Sequence, residues 1–264
     1  MRAQLAELVE LYEPEAVTVV DVGGDAVASG TEDRLRSPLA DALTLAAAAD
    51  LHPAITLAVA GPGLDGELSE QQVLAALGPA APVQTLDLPD IEPFRSVLEW
   101  HPSEGTALLA AAARGLRGKV EVRDVGLVVD LTSHSPAVYR LPVDQALAIN
   151  ELAAALTDSS SLVEAEDIAR KVCGFSEIDY ERAKQAALAA APPPDRRGLE
   201  QLDDDVRAFE RDAASRGIVY VTFRRIAEAI SVPANQTDQL RRHLTTARPG
   251  QYVWPLWSIA EPGS

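Results

Sequence analysis

The chain has 264 residues, 47% apolar and 24% charged, a composition that fits a globular protein with a sizeable core and excludes a disordered one. Forty acidic against 23 basic residues give a formal charge of −17, which argues against non-specific attraction of the whole molecule to nucleic acid or an anionic membrane. The single cysteine, Cys173, excludes an internal disulfide and a cysteine-clustered zinc site. No apolar run approaches ~18 residues and no signal-peptide pattern is present, so the cytoplasm is the expected location.

In chain order, residues 2–12 carry Leu5, Leu8, Val9 and Tyr12 at helical spacing. Residues 16–20 form a short apolar run ending at Asp21, read as a strand buried on both faces. The loop from Val22 to Arg36 is long for a strand-to-helix connection, and Ser37-Pro38 is a helix start with a capping hydroxyl and a first-turn proline. The pattern then repeats: strand 55–60, loop 61–68, and helix 69–77 opened by a Ser69/Gln72 capping box. A third strand over 83–88 and helices over 91–100 and 102–114 follow. This order implies a right-handed, mostly parallel sheet with helices on both sides.

After Gly115 the texture changes. Residues 119–123, 126–131 and 138–141 are short β-rich pieces, either further strands of the sheet or a meander at its edge. Helices are expected over 146–156, 163–172 and 179–190, with Ser161 and Ser176 as caps, before Pro192-Pro193-Pro194 stops the last and stiffens a connector. A polar helix over 199–215, an extended piece over 219–222 and two short helices over 223–230 and 237–244 come next. Trp254 and Trp257 pin the tail.

Three segments could carry chemistry, because open α/β sheets bind ligands beyond the carboxyl ends of their strands. Asp21-Val22-Gly23-Gly24-Asp25 has two glycines that allow close backbone approach, flanked by carboxylates suited to a hard cation such as magnesium or to substrate donors. Gly61, Gly63 and Gly66 form a G-x-G-x-x-G with Asp87 about 20 residues on, the spacing of a dinucleotide site. Pro62 removes an amide, however, and Asp65 and Glu67 would repel a phosphate. NAD is therefore disfavoured, and these acids read better as polar-ligand or metal-facing groups. The third segment is His101-Pro102-Ser103-Glu104, where His101 has the reference pKa of an acid or base and Ser103-Glu104 is ordinary capping. No G-x-S-x-G elbow and no P-loop is present. Arg34, Arg36, Arg114, Arg117 and Arg123 are candidates for holding an anion.

The segments Val19 to Asp25, Leu35 to Ala42 and Gly61 to Leu68 resemble a prokaryotic family known only as domain of unknown function 1152, common in actinobacteria. Similarity continues through His101 to Glu104, Arg114 to Gly118 and Leu131-Thr132. The resemblance brings no reaction with it. Family members typically open with a further strand and a glycine-rich, aspartate-ending loop, which has no counterpart here. The resemblance thus implies that this chain corresponds to the later portion of a longer member, and that the missing loop would supply part of the site.

The resulting expectation is an α/β fold, a three-layer, mostly parallel Rossmann-like sheet with a helical C-terminal region. Residues 1–142 would form the core with a β-rich edge, 143–191 a helical extension, and 192–264 a C-terminal helical segment or small subdomain. Function is read as a small-molecule enzyme or ligand-binding protein acting on a polar or phosphorylated metabolite by metal-assisted transfer or hydrolysis. Asp21, Asp25 and His101 are the catalytic candidates; Gly23, Gly24, Arg36, Gly63, Asp65, Glu67 and Arg114 the ligand-binding ones. Asp21, Asp25 and Asp65 would hold a divalent metal such as magnesium. The partner is a small-molecule ligand, with no membrane, and alanine-rich helix faces are compatible with a homodimer. The alternative is a non-catalytic regulatory or ligand-sensing protein; a C-terminal helix-turn-helix binding DNA, with Arg241 and Arg242 on its second helix, is the weaker form of that reading in so acidic a protein.

Overall fold

The computed structural model describes residues 1–98, 103–123, 126–190, 199–233 and 236–259. The chain forms two compact units, each assembled from two separate stretches: residues 1–85 with 137–191, and 86–136 with 192–264. The sequence suggested cuts in series at 142 and 191; the chain instead passes from one unit to the other at 85/86, 136/137 and 191/192. No described helix is long and apolar enough to cross a membrane.

The described strands are β1 (Ala16–Val22), β2 (Ala54–Ala60), β3 (Gln84–Thr85), β4 (Gly118–Val122), β5 (Leu127–Leu131), β6 (Ala137–Pro142), β7 (Tyr220–Val221), β8 (Tyr252–Val253) and β9 (Leu256–Ser258). In the first unit the order is β1-β2-β6-β3. The β1–β2 pair is parallel, but β6 runs antiparallel to both β2 and β3. The sheet is therefore mixed, and the mostly parallel expectation is corrected. Hydrophobic pattern shows where a strand is, whereas its direction depends on where the intervening chain has gone. The third strand is also shorter than expected. Asp87 and Asp90 form a reciprocal capping box that opens a helical turn at Leu88, with Pro89 in its first turn.

Burial alternates along β1 and β6, leaving Thr18, Val20 and Arg140 exposed. At these strands one face is open, and the expected three helix–sheet–helix layers are not seen there. The other face carries the core. Register aligns Leu57 with Leu141 and Val59 with Tyr139, and these pack with Leu39, Ala42, Leu45, Leu152 and Leu156 from the helices Pro38–Ala48 and Glu151–Leu156. The single helix expected over 146–156 is two, Val143–Ile149 and Glu151–Leu156. Buried Asn150 breaks it by leaving helical geometry and accepting the Ala153 amide at 2.8 Å.

The second unit has the strand order β5-β4-β7-β9-β8, with β4–β7 parallel and the other pairs antiparallel. Residues 199–259 run helix, strand, helix, helix, hairpin, and β7 pairs with β9. Trp257, Ile226, Leu240, Leu244 and Val221 are its core, and Trp254 is buried beside Ala110 and Ala113. Its buried acids are clamped. Glu121, fully buried, receives Arg225 and Arg216 at 2.6 Å each, and Glu210 receives Arg248 at 2.8 Å and the Trp257 indole at 2.7 Å.

Candidate functional site

The site is in the first unit and follows from strand register. Val22 at the end of β1 lies opposite Ala60 at the end of β2, so the two glycine loops leave the sheet side by side. They are stitched by backbone: Gly23 donates to Ala60 at 3.0 Å, and Gly63 donates to Gly23 at 2.6 Å. Period-2 alternation points Asp21 to the covered face, in register with Val59. It is 4% exposed, and its carboxylate accepts the Ala26 amide at 3.1 Å. Asp25 begins a short 3-10 turn, Asp25–Val27, and is also buried. Asn150 braces that turn by donating from Nδ2 to the Ala26 carbonyl at 3.1 Å.

The glycines have distinct steric reasons. Gly23 sits at φ +128°, and a Cβ there would meet the Asp65 carboxylate at 2.1 Å. The loop can therefore bring Asp65 against the backbone of the first loop only if residue 23 has no side chain. Gly24, at φ +113°, leaves room for Val73 of the helix Glu70–Leu77.

A third acid joins from Asp41 in the first turn of the helix Pro38–Ala48. Asp21, Asp25 and Asp41 each offer a carboxylate oxygen, all within 4.8 Å of one another, in metal-binding proximity. Asp65 approaches with one oxygen, Oδ1, accepting the Glu67 amide at 2.9 Å, while Oδ2 is buried without a hydrogen-bond partner. Desolvation pushes Asp21 up to about 7, with the Asp41 charge adding to it. Asp25 is raised further, by burial first and then by Asp41, Asp21, Asp65 and Glu67. Burial likewise lifts Asp65 to about 8. The charges acting most strongly on Asp25 are all carboxylates, which defines the site: acids packed out of water around one another.

The remaining candidates fall into place one by one. Glu67 accepts the Arg36 and Ser37 amides at 2.8 and 3.0 Å and the Ser37 hydroxyl, so it caps the helix at Pro38. Ser37, expected to cap with its own oxygen, donates instead, and Glu177 accepts the Leu39 amide at 3.0 Å. Arg36 is exposed at the loop edge. Gly63 contributes its amide to the stitch with Gly23, while the amides of Gly61, Leu64 and Gly66 are engaged by Ala137, Gly61 and Gly63 carbonyls. The G-x-G-x-x-G loop thus directs these donors inward, away from any phosphate. Arg114 is in the second unit, where it donates to the Trp254 carbonyl and lies 5.4 Å from that ring. His101 lies outside the described residues.

Asp41 and Asn150 were missed by sequence reasoning. Asp41 had a signal. Positions 38, 41, 42 and 45 form one helical stripe, and Pro38, Ala42 and Leu45 are buried, so an acid in that row faces inward.

Residues 1–185 match the model of the family described as Protein of unknown function (DUF1152). The chain belongs to this family. The matched span includes all the carboxylates of the site. No curated protein and no solved structure matches.

Proposed function

We propose that the family domain of this chain is a divalent-cation site, of the magnesium or manganese class, that holds a polar or phosphorylated small molecule for metal-assisted transfer or hydrolysis. The observation that carries this is the convergence of Asp21, Asp25 and Asp41 oxygens within 4.8 Å, with the unpartnered Asp65 oxygen beside them. Clustered buried carboxylates are stable only as protonated acids or around a cation, and an all-oxygen donor set suits a hard divalent ion. A parallel strand pair with ligand loops beyond its carboxyl ends is the feature shared with Rossmann-like sheets. In such a site the metal would polarise a phosphoryl or carbonyl oxygen and lower the pKa of bound water. Asp21, Asp25 and Asp41 would hold it, Asp65 would orient a water or accept a proton, and Arg36 would face an anionic group.

Titration of the EDTA-treated protein with Mg²⁺ and Mn²⁺, followed by melting temperature and calorimetry, tests the reading. Saturation at about 100 times Kd stabilises by about 2.7 kcal/mol. That increment is expected to vanish in Asp25→Asn and Asp41→Asn. The proposal fails when neither ion binds, or when both variants respond like the parent.

A further inference from the structure

The first unit has a cleft of about 490 Å³, lined by Leu35, Arg36, Arg170, Phe175, Ser176 and Tyr180 among others. Its volume is that of a small-molecule pocket. Its floor is the turn between the helices Leu162–Cys173 and Glu177–Ala190, where Gly174 ends the first helix at φ +78° and has open space in place of a side chain.

The polar lining is largely satisfied from within. Arg170 is held by Asp179 at 2.8 Å, Asp167 at 2.7 Å and Glu166 at 3.0 Å, and Ser176 accepts the Asp179 amide at 3.4 Å. What the cleft offers a ligand is mostly apolar surface: the half-buried Phe175 and the Tyr180 ring, 47% exposed, with Lys184 Nζ 5.7 Å from its centroid; Leu35, 5% exposed, lies beneath. Rings and a fixed guanidinium plane favour a flat aromatic group, which stacks on each.

Hydrogen bonds link the cleft lining to the acidic cluster. Arg36, in the lining, gives its backbone amide to Glu67, whose own amide bonds Asp65. Glu177 follows Ser176 of the lining, caps the helix that carries Asp41, and has its acidity weakened by burial first, with the charges of Glu67 and Asp41 adding to it. One molecule could thus place a ring in the cleft and an anionic end at the cation.

We infer that this cleft is the ring subsite of the cation site, and that the ligand is an aromatic ring joined to a phosphate, the chemistry of a nucleotide. The inference rests on the proposed cation site. The polar end shares the metal with Asp21, Asp25 and Asp41, Arg36 stands between the two ends, and Phe175 and Tyr180 hold the ring.

Calorimetry on the full chain with saturating Mg²⁺, using ADP, GDP, inorganic pyrophosphate and adenosine as probes, tests it. At least one of the two nucleotides is expected to bind about tenfold tighter than pyrophosphate, the gain of one stacked ring, about 1.4 kcal/mol. Phe175→Ala and Tyr180→Ala are expected to remove that gain while leaving Mg²⁺ and pyrophosphate binding unchanged. Circular dichroism of both variants establishes that they fold, and Phe175→Leu, which keeps apolar bulk without the ring, separates stacking from packing. Mg²⁺ binding with no nucleotide preference over pyrophosphate, or a preference that survives in both alanine variants, overturns the inference and leaves the cation site standing. Absence of both Mg²⁺ and Mn²⁺ binding in the parent overturns both.

Discussion

The acidic cluster of the first unit and the buried glutamates of the second hold their carboxylates in opposite ways; Glu166 of the first unit, met by Arg170 and Arg182 at 3.0 Å, is of the clamped kind. In the second, Glu121 and Glu210 are as inaccessible as Asp21 and Asp25 in the first, but each is met by arginine at 2.6–2.8 Å. In the first, the groups acting on Asp25 are further acids. A buried charge with a bound counter-charge is finished structure, whereas a group of buried acids set against one another needs a proton or an ion from outside. Burial alone does not mark a functional acid; what neutralises it does. Three arginines of the locally basic C-terminal stretch, Arg216, Arg225 and Arg248, serve that internal neutralisation, which leaves them less available to a helix-turn-helix reading.

The largest expected effect breaks the clamped side. Glu121→Ala leaves Arg216 and Arg225 facing each other without their acid, and is expected to cost about 3 kcal/mol or more. Trp254 and Trp257 are buried in the second unit, so their fluorescence in urea reports on it. An unchanged midpoint would show that the clamp contributes nothing.

The unclamped side should respond with the opposite sign. Without metal, Asp25→Asn removes an acid whose ionisation is opposed by burial and four neighbouring carboxylates, and is expected to stabilise the first unit by about 2 kcal/mol near neutral pH. Hydrogen exchange of the β1 and β2 amides, in EDTA, measures it. Destabilisation would show that the Asp25 carboxyl is held favourably by its surroundings and would break the contrast between the two kinds of buried acid.

The gentlest probe is pH. Asp21 and Asp65 have folded pKa values raised to about 7 and about 8, above the unfolded carboxylate value of ~3.9. Groups of this sign give their full stability below the unfolded value and lose it as pH rises through the folded one. Metal-free protection of β1 and β2 should therefore fall between about pH 4 and pH 8, and saturating Mn²⁺ should flatten or reverse the fall. A metal-free profile that rises over the same window would contradict the assigned shifts.

Much of the site was legible because loops after strands announce themselves. Asp21 and Gly23 to Asp25, and Gly63 to Glu67, stand where apolar runs end, and the parallel β1–β2 register brings those ends together. Asp41 was hidden by its ordinary position, since an acid in a helix's first turn is what the dipole favours; only the burial of Pro38 and Leu45 in the same stripe betrays it. Glu67 was legible as an acid of the site but not as a cap, because its partners lie about thirty residues away in the chain. The place of β6 could not be read at all. Its alternation predicts a half-buried strand, and nothing local says that it enters antiparallel beside β2.

That late entry of β6 has a consequence for a chain growing from the ribosome. β1 and β2 can pair early, but the β2 edge stays open until residues 137–142 have emerged, after the whole 86–136 stretch of the other unit. That stretch in turn waits for β7, at 220–221, to pair with β4. The first unit has all its residues once 191 has emerged, whereas the second waits for 192–264, so nascent-chain folding is expected to complete the first unit before the second. No single cut in the gene separates the two units.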